Sequence, residues 1–579
     1  MSWKQYTLIG LGVVVLLAGS GVVYMTTHAV QQYYAEKGVA GAYLAARHAA
    51  KNHAPDVAGD FYQQVLWARP QDMSILQATM QAKLLAGDMH EARDSAVRVL
   101  DVLPDNRQAL LLLAISAFEE EQYGDAGVYL DAMPRGPMSQ LLEPNIRLWV
   151  GLAQGDKDIE KRSLAQLARA SSFASVSLSQ AAHALELAGD FEHAAAHYQR
   201  AAQSGGLRYL FFAKSYGGFL ERQGKVEEAR KVYQFYQNTH FTDPYIEAAE
   251  ARLQTGDTAP LETSERVNLA DAFLAIGEVM MDEKRVDLAI AYTQLALFLD
   301  PENDQTSYQL GQLTGVQENW SAAAHHFGRI TFDDLLHPEA QIQRAQMFLE
   351  MGEVETAITL LTTQVAGLPE HQASWAALGD LYRVQKQFEQ AHVAYGRAID
   401  TLSVESRDDW HLYFARGITR ERLGNWREAE MDLQRARRLS NDEPHVLNYL
   451  GYSWIDQGIH LDEGLKIIRQ AVSKMPQNGS FVDSLGWALF KLGRYDEALE
   501  VLQKAGELEP VDPVVTDHLG DTLWRLGRQF EARYQWRKAL AFEPEDSDRA
   551  NIEQKLLLGL GPVPKAKPEA YMPRGGTAI

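Results

Sequence analysis

Apolar residues in this chain recur at i, i+3, i+4 and i+7 in runs of about a dozen residues, the spacing that gathers them on one face of an α-helix. The helical pattern itself returns every 34 residues. Leu485-Gly486 is followed by Leu489, Gly493, Ala498, Leu502, Ala505 and Pro510. Leu519-Gly520 is followed at the same offsets by Leu523, Gly527, Ala532, Trp536, Ala539 and Pro544. A fixed period of this length predicts one helix–turn–helix unit stacked many times, each unit too small to bury its apolar face alone.

A small residue in the middle of the first helix serves as a register mark. The marks fall at Ala46, Met80, Ala114, Leu148, Ala182, Gly217, Gly277, Gly311, Ala345, Gly379, Gly417, Gly451, Gly486 and Gly520. In most units a second small residue follows twelve positions later, as at Ala58, Ala391, Ala498 and Ala532. Two small residues facing one another let the paired helices approach closely, with larger side chains filling the remaining space. Gly87, Gly155, Gly189, Gly224, Gly352, Gly424, Gly458, Gly493 and Gly527 lie seven residues after a mark, where a left-handed residue ends the first helix. Pro70, Pro104, Pro301, Pro369, Pro476, Pro510 and Pro544 stop the second helix.

These residues resemble the tetratricopeptide (TPR) repeat family, most fully in Trp375-Leu378-Gly379-Tyr382-Ala391-Tyr395-Ala398 and in the two C-terminal units. The resemblance covers about residues 39–545 and is weakest at Leu148, where Glu160 replaces the second small residue. It implies an all-α, right-handed superhelical solenoid of about 14 units. Residues 448–540 are also similar to the ends of large TPR proteins of bacterial envelopes. The period breaks between Gly217 and Gly277, so the expected layout is an N-terminal arm over 39–238, an irregular unit or hinge over 239–264 and a C-terminal arm over 265–545. A capping helix over 546–560 and a disordered Pro-rich tail over 561–579 complete it.

Ahead of the repeats, residues 1–30 hold a 19-residue stretch, Thr7 to Met25, without a charged side chain and preceded by Lys4. That length falls in the spanning range, and Lys4 biases the repeats to the far side of the membrane. A transmembrane anchor is expected, with a cleaved signal segment as the alternative, its candidate sites at Ala18-Gly19-Ser20 and Thr27-His28-Ala29. The chain has no cysteine, which excludes disulfides, thiolate zinc and a thiol nucleophile. A net charge of −22 argues against sequence-independent nucleic-acid binding.

No phosphate-binding glycine loop, His-Glu-x-x-His helix or Gly-x-Ser-x-Gly elbow occurs, so no catalytic residue, cofactor or metal is expected. His325-His326 are read as exposed surface histidines, since neighbouring residues on a helix point about 100° apart. The carboxylate pairs Asp333-Asp334, Asp408-Asp409 and Glu227-Glu228 are read as helix caps. The sharper candidate is a binding groove. In TPR folds the first helices line the concave face through residues three before, one after, and four and five after the mark. In the last three units these include Asn448, Tyr452, Asp483, Trp487, Phe490, Lys491, Asp517, Asp521, Trp524 and Arg525. Aromatics beside acids suit an extended segment with basic or apolar side chains, or the face of a sugar; the alternative is that Trp487 and Trp524 are core. In the N-terminal arm the same positions hold Tyr43, Arg47, Gln77, Gln81, Leu111, Ile115, Asn145 and Trp149.

The expected function is a non-catalytic scaffold or adaptor of a bacterial envelope assembly or export system, anchored in the inner membrane with its repeats in the periplasm. Alternatives are a secreted periplasmic form, a scaffold of exopolysaccharide secretion touching glycan, and a cytoplasm-facing regulator of a membrane enzyme. A glycosyltransferase-associated enzyme is the remote one, since the repeats leave no room for a transferase domain.

Overall fold

The computed structural model describes residues 13–18, 21–26, 38–170, 173–239 and 243–561. Among them are 30 α-helices: 14 consecutive pairs, the single helix Pro244–Thr255 and the terminal helix Asp546–Leu558. Every register mark lies inside the first helix of its pair. All but Gly561 of the expected tail over 561–579, the segment 27–37 with the candidate cleavage site Thr27-His28-Ala29, and Gly19-Ser20 of the other site lie outside the described residues.

The described part of the N-terminal apolar stretch differs from expectation. Val13–Ala18 and Gly21–Thr26 are strands paired antiparallel, Val13 opposite Thr26, where a helix was expected. Runs such as Val13-Val14-Val15 favour extended backbone, because β-branching restricts the side chain on a helix. Among the described residues no helix is long and apolar enough to cross a membrane.

The small residues act as the period predicts. A Cβ added to Gly486 would lie 2.5 Å from Leu502 Cγ, and one on Gly520 would lie 2.6 Å from Trp536 Cδ1. The alanines twelve residues after the marks, such as Ala58, Ala391, Ala498 and Ala532, are fully buried. All nine punctuating glycines are left-handed, with φ between 68° and 80°. Glu121, Lys284, Glu318 and Lys386 hold the same offset and take the same conformation at φ 57° to 60°, each at a cost of about 1 kcal/mol. Turn geometry is therefore set by the stacked helices and is met by glycine where the sequence provides one.

The fold comprises two compact units, one ending at Leu360 and one beginning at Leu361. In the first, the pair Glu265–Asp282 and Val286–Leu299 packs against the first helices of earlier pairs. Glu265–Asp282 meets Pro137–Gln154, Ala174–Leu187 and Leu210–Arg222; Val286–Leu299 meets Met73–Ala86 and Arg107–Glu119. Both inserted helices are buried on nearly every side, through Leu269, Phe273, Leu274, Ile276 and Met280 and through Ile290, Tyr292, Leu295 and Leu299. A helix apolar all round belongs in a core. One continuous core consequently runs from Ala46 to Leu313. Backbone capture closes the turn: Gln294 Nε2 donates to the Leu85 carbonyl at 3.2 Å and Asn319 Nδ2 to the His53 carbonyl at 2.9 Å.

The way into that core runs through Pro244–Thr255 and the chain that follows it. Asp243 caps the helix by accepting from the Tyr245 and Ile246 N–H groups. The Ala259 N–H donates to Glu221 Oε2 at 2.6 Å, and Arg222 Nη1 donates to the Ala259 and Pro260 carbonyls. In the second unit, five helix pairs from Gln372–Val384 to Gln529–Ala541 build a series of smaller cores. The terminal helix covers the last of these, with Ile552 buried among Leu523, Trp536 and Ala539.

Replacing Gly486 or Ala498 with Leu is expected to overpack the unit and destabilise the second compact unit by about 1–3 kcal/mol, read as a lowered thermal midpoint. Unchanged unfolding in both variants would mean that these helices are not in contact there.

Candidate binding groove

In the first unit the inward positions are already occupied by the chain itself. Trp149 is fully buried, its Nε1 donating to Gln180 Oε1 at 3.0 Å, and Asn145 Nδ2 donates to the Leu141 carbonyl. Leu111 and Ile115 are buried in the same core as the inserted pair. Tyr43 and Arg47 bond to each other at the exposed start of the unit. Gln77 is half-buried, and Gln81 is exposed beside a cleft of ≈ 710 Å³ that also reaches His53, Gln294, His325 and Arg329. Further along, Lys214 Nζ donates to Gln305 Oε1 at 2.5 Å and lies 4.2 Å from the Tyr245 ring centre. Glu278 accepts the N–H groups of Leu210 and Phe211, capping that helix; burial pushes its pKa up to about 7 and that of Asp271 up to about 6.

The second unit presents a different inner face. Tyr452, Trp487, Phe490 and Trp524 are all partly exposed there. Trp487 stacks on His518 with ring centres 3.9 Å apart and on Phe490 at 4.8 Å, while Lys491 Nζ lies 5.1 Å from its ring. Trp524 packs on Trp536 at 5.4 Å beneath the Arg533 guanidinium. Its indole also lies where a side chain on Gly559 would sit, so the end of the terminal helix rests on it. The two tryptophans therefore belong partly to the groove wall and partly to the packing behind it.

The groove acids are paired within the chain. Asp483 accepts His518 Nδ1 at 3.0 Å, both groups buried. Asp517 and Asp521 share the buried Lys555 ammonium at 2.6 and 2.8 Å, and Asp521 also accepts Trp536 Nε1 at 2.9 Å. Lys491 pairs with Asp456 at 3.2 Å, and Arg525 Nη1 donates to the Gly561 carbonyl. Lys555 comes from the terminal helix, whose leading residue Glu545 reaches Lys386 at 3.4 Å. Three buried polar atoms along the face have no partner in the protein: Asn448 Oδ1, Trp487 Nε1 and Asp517 Oδ1. A buried hydrogen-bonding atom left unpaired costs about 1–3 kcal/mol, so these atoms mark where a water or a bound chain is wanted.

Burial alone would lower the His518 pKa, but the Asp483 carboxylate overrides it and the net direction is upward. Asp517 is pushed up to about 6 by burial and by the Asp521 charge, against the pull of Lys555. Burial, with Asp456, Asp483 and Asp548 nearby, raises the Tyr452 hydroxyl as well.

His518 and Lys555 were not among the sequence candidates. His518 stands two residues before its mark, off the positions assigned to the groove, and the terminal helix had been read only as a cap. One reading is corrected: His325 is exposed, but His326 is buried, its pKa pushed down to about 4 by burial. Position 326 falls on the inner stripe of its short helix, one turn after the buried Ala323. The two imidazole planes stand 71° apart. The carboxylate pairs sit at helix starts: Asp334 accepts the Leu336 N–H, and Asp409 accepts the Ser406 N–H in a capping box.

The tetratricopeptide-repeat family model matches residues 483–510, the unit that carries Trp487. A TPR repeat-containing protein of Pseudomonas aeruginosa is 23% identical over 195 residues, covering 33% of this chain and 32% of that relative; the match thus spans about a third of the relative's length. Among solved structures, the APC/C hetero-tetramer Cut9–Hcn1 is 15% identical with a TM-score of 0.36, covering 84% of this chain and 96% of that one. Yeast Tom70 is 11% identical with a TM-score of 0.31, covering 90% and 96%. YrrB, described as a TPR protein with an unusual peptide-binding site, is 20% identical with a TM-score of 0.28, covering 33% and 97%.

A histidine whose pKa is higher folded than unfolded stabilises fully below its unfolded value of about 6.5 and loses that contribution as pH rises through the folded value. The destabilisation caused by His518→Gln should therefore shrink as the pH is raised above neutrality, measured as the difference in thermal midpoint from wild type. Asp517, raised toward 6, titrates below that window and leaves it clean. A difference constant with pH would mean that the imidazole is neutral and the pair is a simple hydrogen bond.

Proposed function

The chain is a tetratricopeptide-repeat protein, and from that premise we propose that it is a scaffold holding an extended segment of another protein against the inner face of its second compact unit. The observation that carries this reading is the contrast between the two units. The first fills its inner face with its own helices Glu265–Asp282 and Val286–Leu299. The second keeps Tyr452, Trp487, Phe490 and Trp524 partly exposed on its inner face.

An extended segment lies along the first helices, and the partly exposed aromatic side chains receive its apolar residues. Because the groove acids already have His518 and Lys555, apolar residues suit the site better than a strongly basic run. The glycan reading is weaker for a related reason. Trp487 is already stacked twice within the protein, whereas a sugar needs an open ring face.

The role within a bacterial envelope assembly or export system, at the inner membrane with the repeats in the periplasm, belongs to the same proposal. Its support is the 19-residue uncharged stretch and Lys4. In a bilayer those residues satisfy their own backbone only as a helix, whatever form they take in water.

A photo-crosslinking residue at Tyr452 or Trp524 should capture a discrete envelope protein in living cells, and one at Gln77 in the first unit should capture far less. Equal capture at both, or capture at Gln77 alone, would overturn the assignment of the groove. Deleting residues 1–30 should move the protein from the membrane to the soluble fraction; if the shortened chain stays with membranes, the tether lies elsewhere.

A further inference from the structure

The outward face of the last repeat departs from the pattern of the others. Ten residues after the mark, where the second helix begins, other units place exposed or half-exposed polar residues such as Asp287, Glu355, Glu389 and Asp496. The last unit places Phe530 there, and it is 92% exposed. Four residues later the preceding unit has an exposed Glu500 and other units expose an aliphatic side chain (Val128, Val393, Met431), while the last exposes an aromatic one, Tyr534, at 63%. With Arg537 exposed on the following turn, these residues form one stripe at i, i+4 and i+7 along Gln529–Ala541. A ring left this open in water forgoes most of its burial energy, and exposed aromatics grouped with arginine are the composition of protein interfaces.

The charges along this helix point to its partner. If two copies of the helix pack antiparallel about a two-fold axis at Tyr534, residues on the same flank at matching distances before and after 534 meet. Lys538 then lies beside the partner's Glu531, and Arg537 beside the partner's Phe530. The stripe is thus complementary to itself: one ion pair and one cation–π contact, each made twice, flank a pair of stacked tyrosines. Glu531 is free to take part, because its present partner Arg528 is an exposed neighbour one helical turn away, a pairing worth little in water.

We propose that this chain forms a reversible two-fold dimer through the outward face of Gln529–Ala541, centred on Tyr534. Four rings of roughly 150–250 Å² each fall short of the ~1,200 Å² of a standard stable interface, so the dimer is concentration-dependent. It leaves the inner groove of each copy untouched and gives the assembly two of them, a bivalent scaffold in which one partner chain bound twice is held more firmly than once. The inference is independent of which segment the groove binds.

Sedimentation velocity of the full chain over a wide concentration range should show a monomer–dimer equilibrium. The double variant Phe530→Asp with Tyr534→Glu installs the residues of the preceding unit, which the repeat accommodates; it should be monomeric with an unchanged melting temperature. Glu531→Lys and Lys538→Glu should each weaken the dimer, and the two together should restore it. The chain has no cysteine, so Tyr534→Cys should crosslink to itself on oxidation, while Glu500→Cys at the equivalent place should not. A wild-type monomer at every concentration would overturn the proposal. So would a dimer insensitive to Phe530 and Tyr534, or a charge swap that fails to restore it. Binding of the stripe to lipid vesicles or to another protein, without self-association, would overturn it too and reassign the face.

Discussion

The approach of two helices at the middle of each unit sets the rest of the structure. Sixteen residues separate the register mark from the side chain it faces, and the two sizes compensate. Gly217 faces Tyr233, Gly311 faces Phe327, Gly379 faces Tyr395 and Gly520 faces Trp536. Where the mark is the bulky Met80, the residue at that offset is Ala96, and both are buried. Interiors are packed at crystal density, so a bulky side chain on one helix calls for a small residue on the other. The contact fixes the angle within a unit, and repeating it puts the first helices side by side along an inner face. The same constraint dictates the turn: the chain must reverse in a left-handed residue whether or not glycine is there, and Glu121, Lys284, Glu318 and Lys386 take the strain.

A face lined by first helices is a groove, and a groove can be filled from inside. The first unit does so with a helix pair that obeys the repeat like any other yet carries buried apolar residues on more than one face. Its partners are as much as about 200 residues away in sequence, as Gln294 and Leu85 show. Ordering so distant a contact has a loop-closure cost, but that cost grows only slowly with length, and the burial of Phe273, Ile276, Leu295 and Leu299 outweighs it. In the second unit the helices keep a polar side, and the inner face remains a surface. The terminal helix borders that surface: Glu545 lies by Lys386 and Lys555 by Asp517 and Asp521.

This division separates what was legible in the sequence from what was not. Helix pairs, marks and turn glycines are local features, and period, small residues and left-handed glycines describe them without any knowledge of distant contacts. The groove positions Asp483, Trp487, Asp517, Asp521 and Trp524 do come together on one face, because the offset from the mark is also local. What escaped is non-local. Trp149 looked like a groove residue, since nothing in its own unit announces that Glu265–Asp282 will cover it. His518 lies one residue off the assigned positions, yet stacking on Trp487 and bonding to Asp483 bring it into the same wall. His326 is buried because its short helix turns that residue toward the core, a rotation that two adjacent histidines in a sequence do not reveal. In the N-terminal stretch, length and lack of charge spoke for a helix while its valines spoke for strand, and length alone does not choose between them.

Charge is where the inner face is most easily misread. A chain of net charge −22 with aspartates at three groove positions suggests attraction for cations. The structure shows those aspartates consumed: His518 on one, Lys555 across two. Removing one member of such a buried set would strand the other charge at a cost of several kcal/mol, so the ions serve the architecture before any ligand arrives. What the face retains for recognition is its partly open rings, with an amide oxygen, an indole N–H and one carboxylate oxygen left unpaired just beneath the surface. Groups of this kind discriminate through the penalty for leaving them unpaired and depend little on ionic strength, whereas attraction between exposed charges fades with salt. On the proposed reading, the surplus acid keeps the scaffold soluble, and selection of the partner rests on the few polar atoms that the fold buries without satisfying.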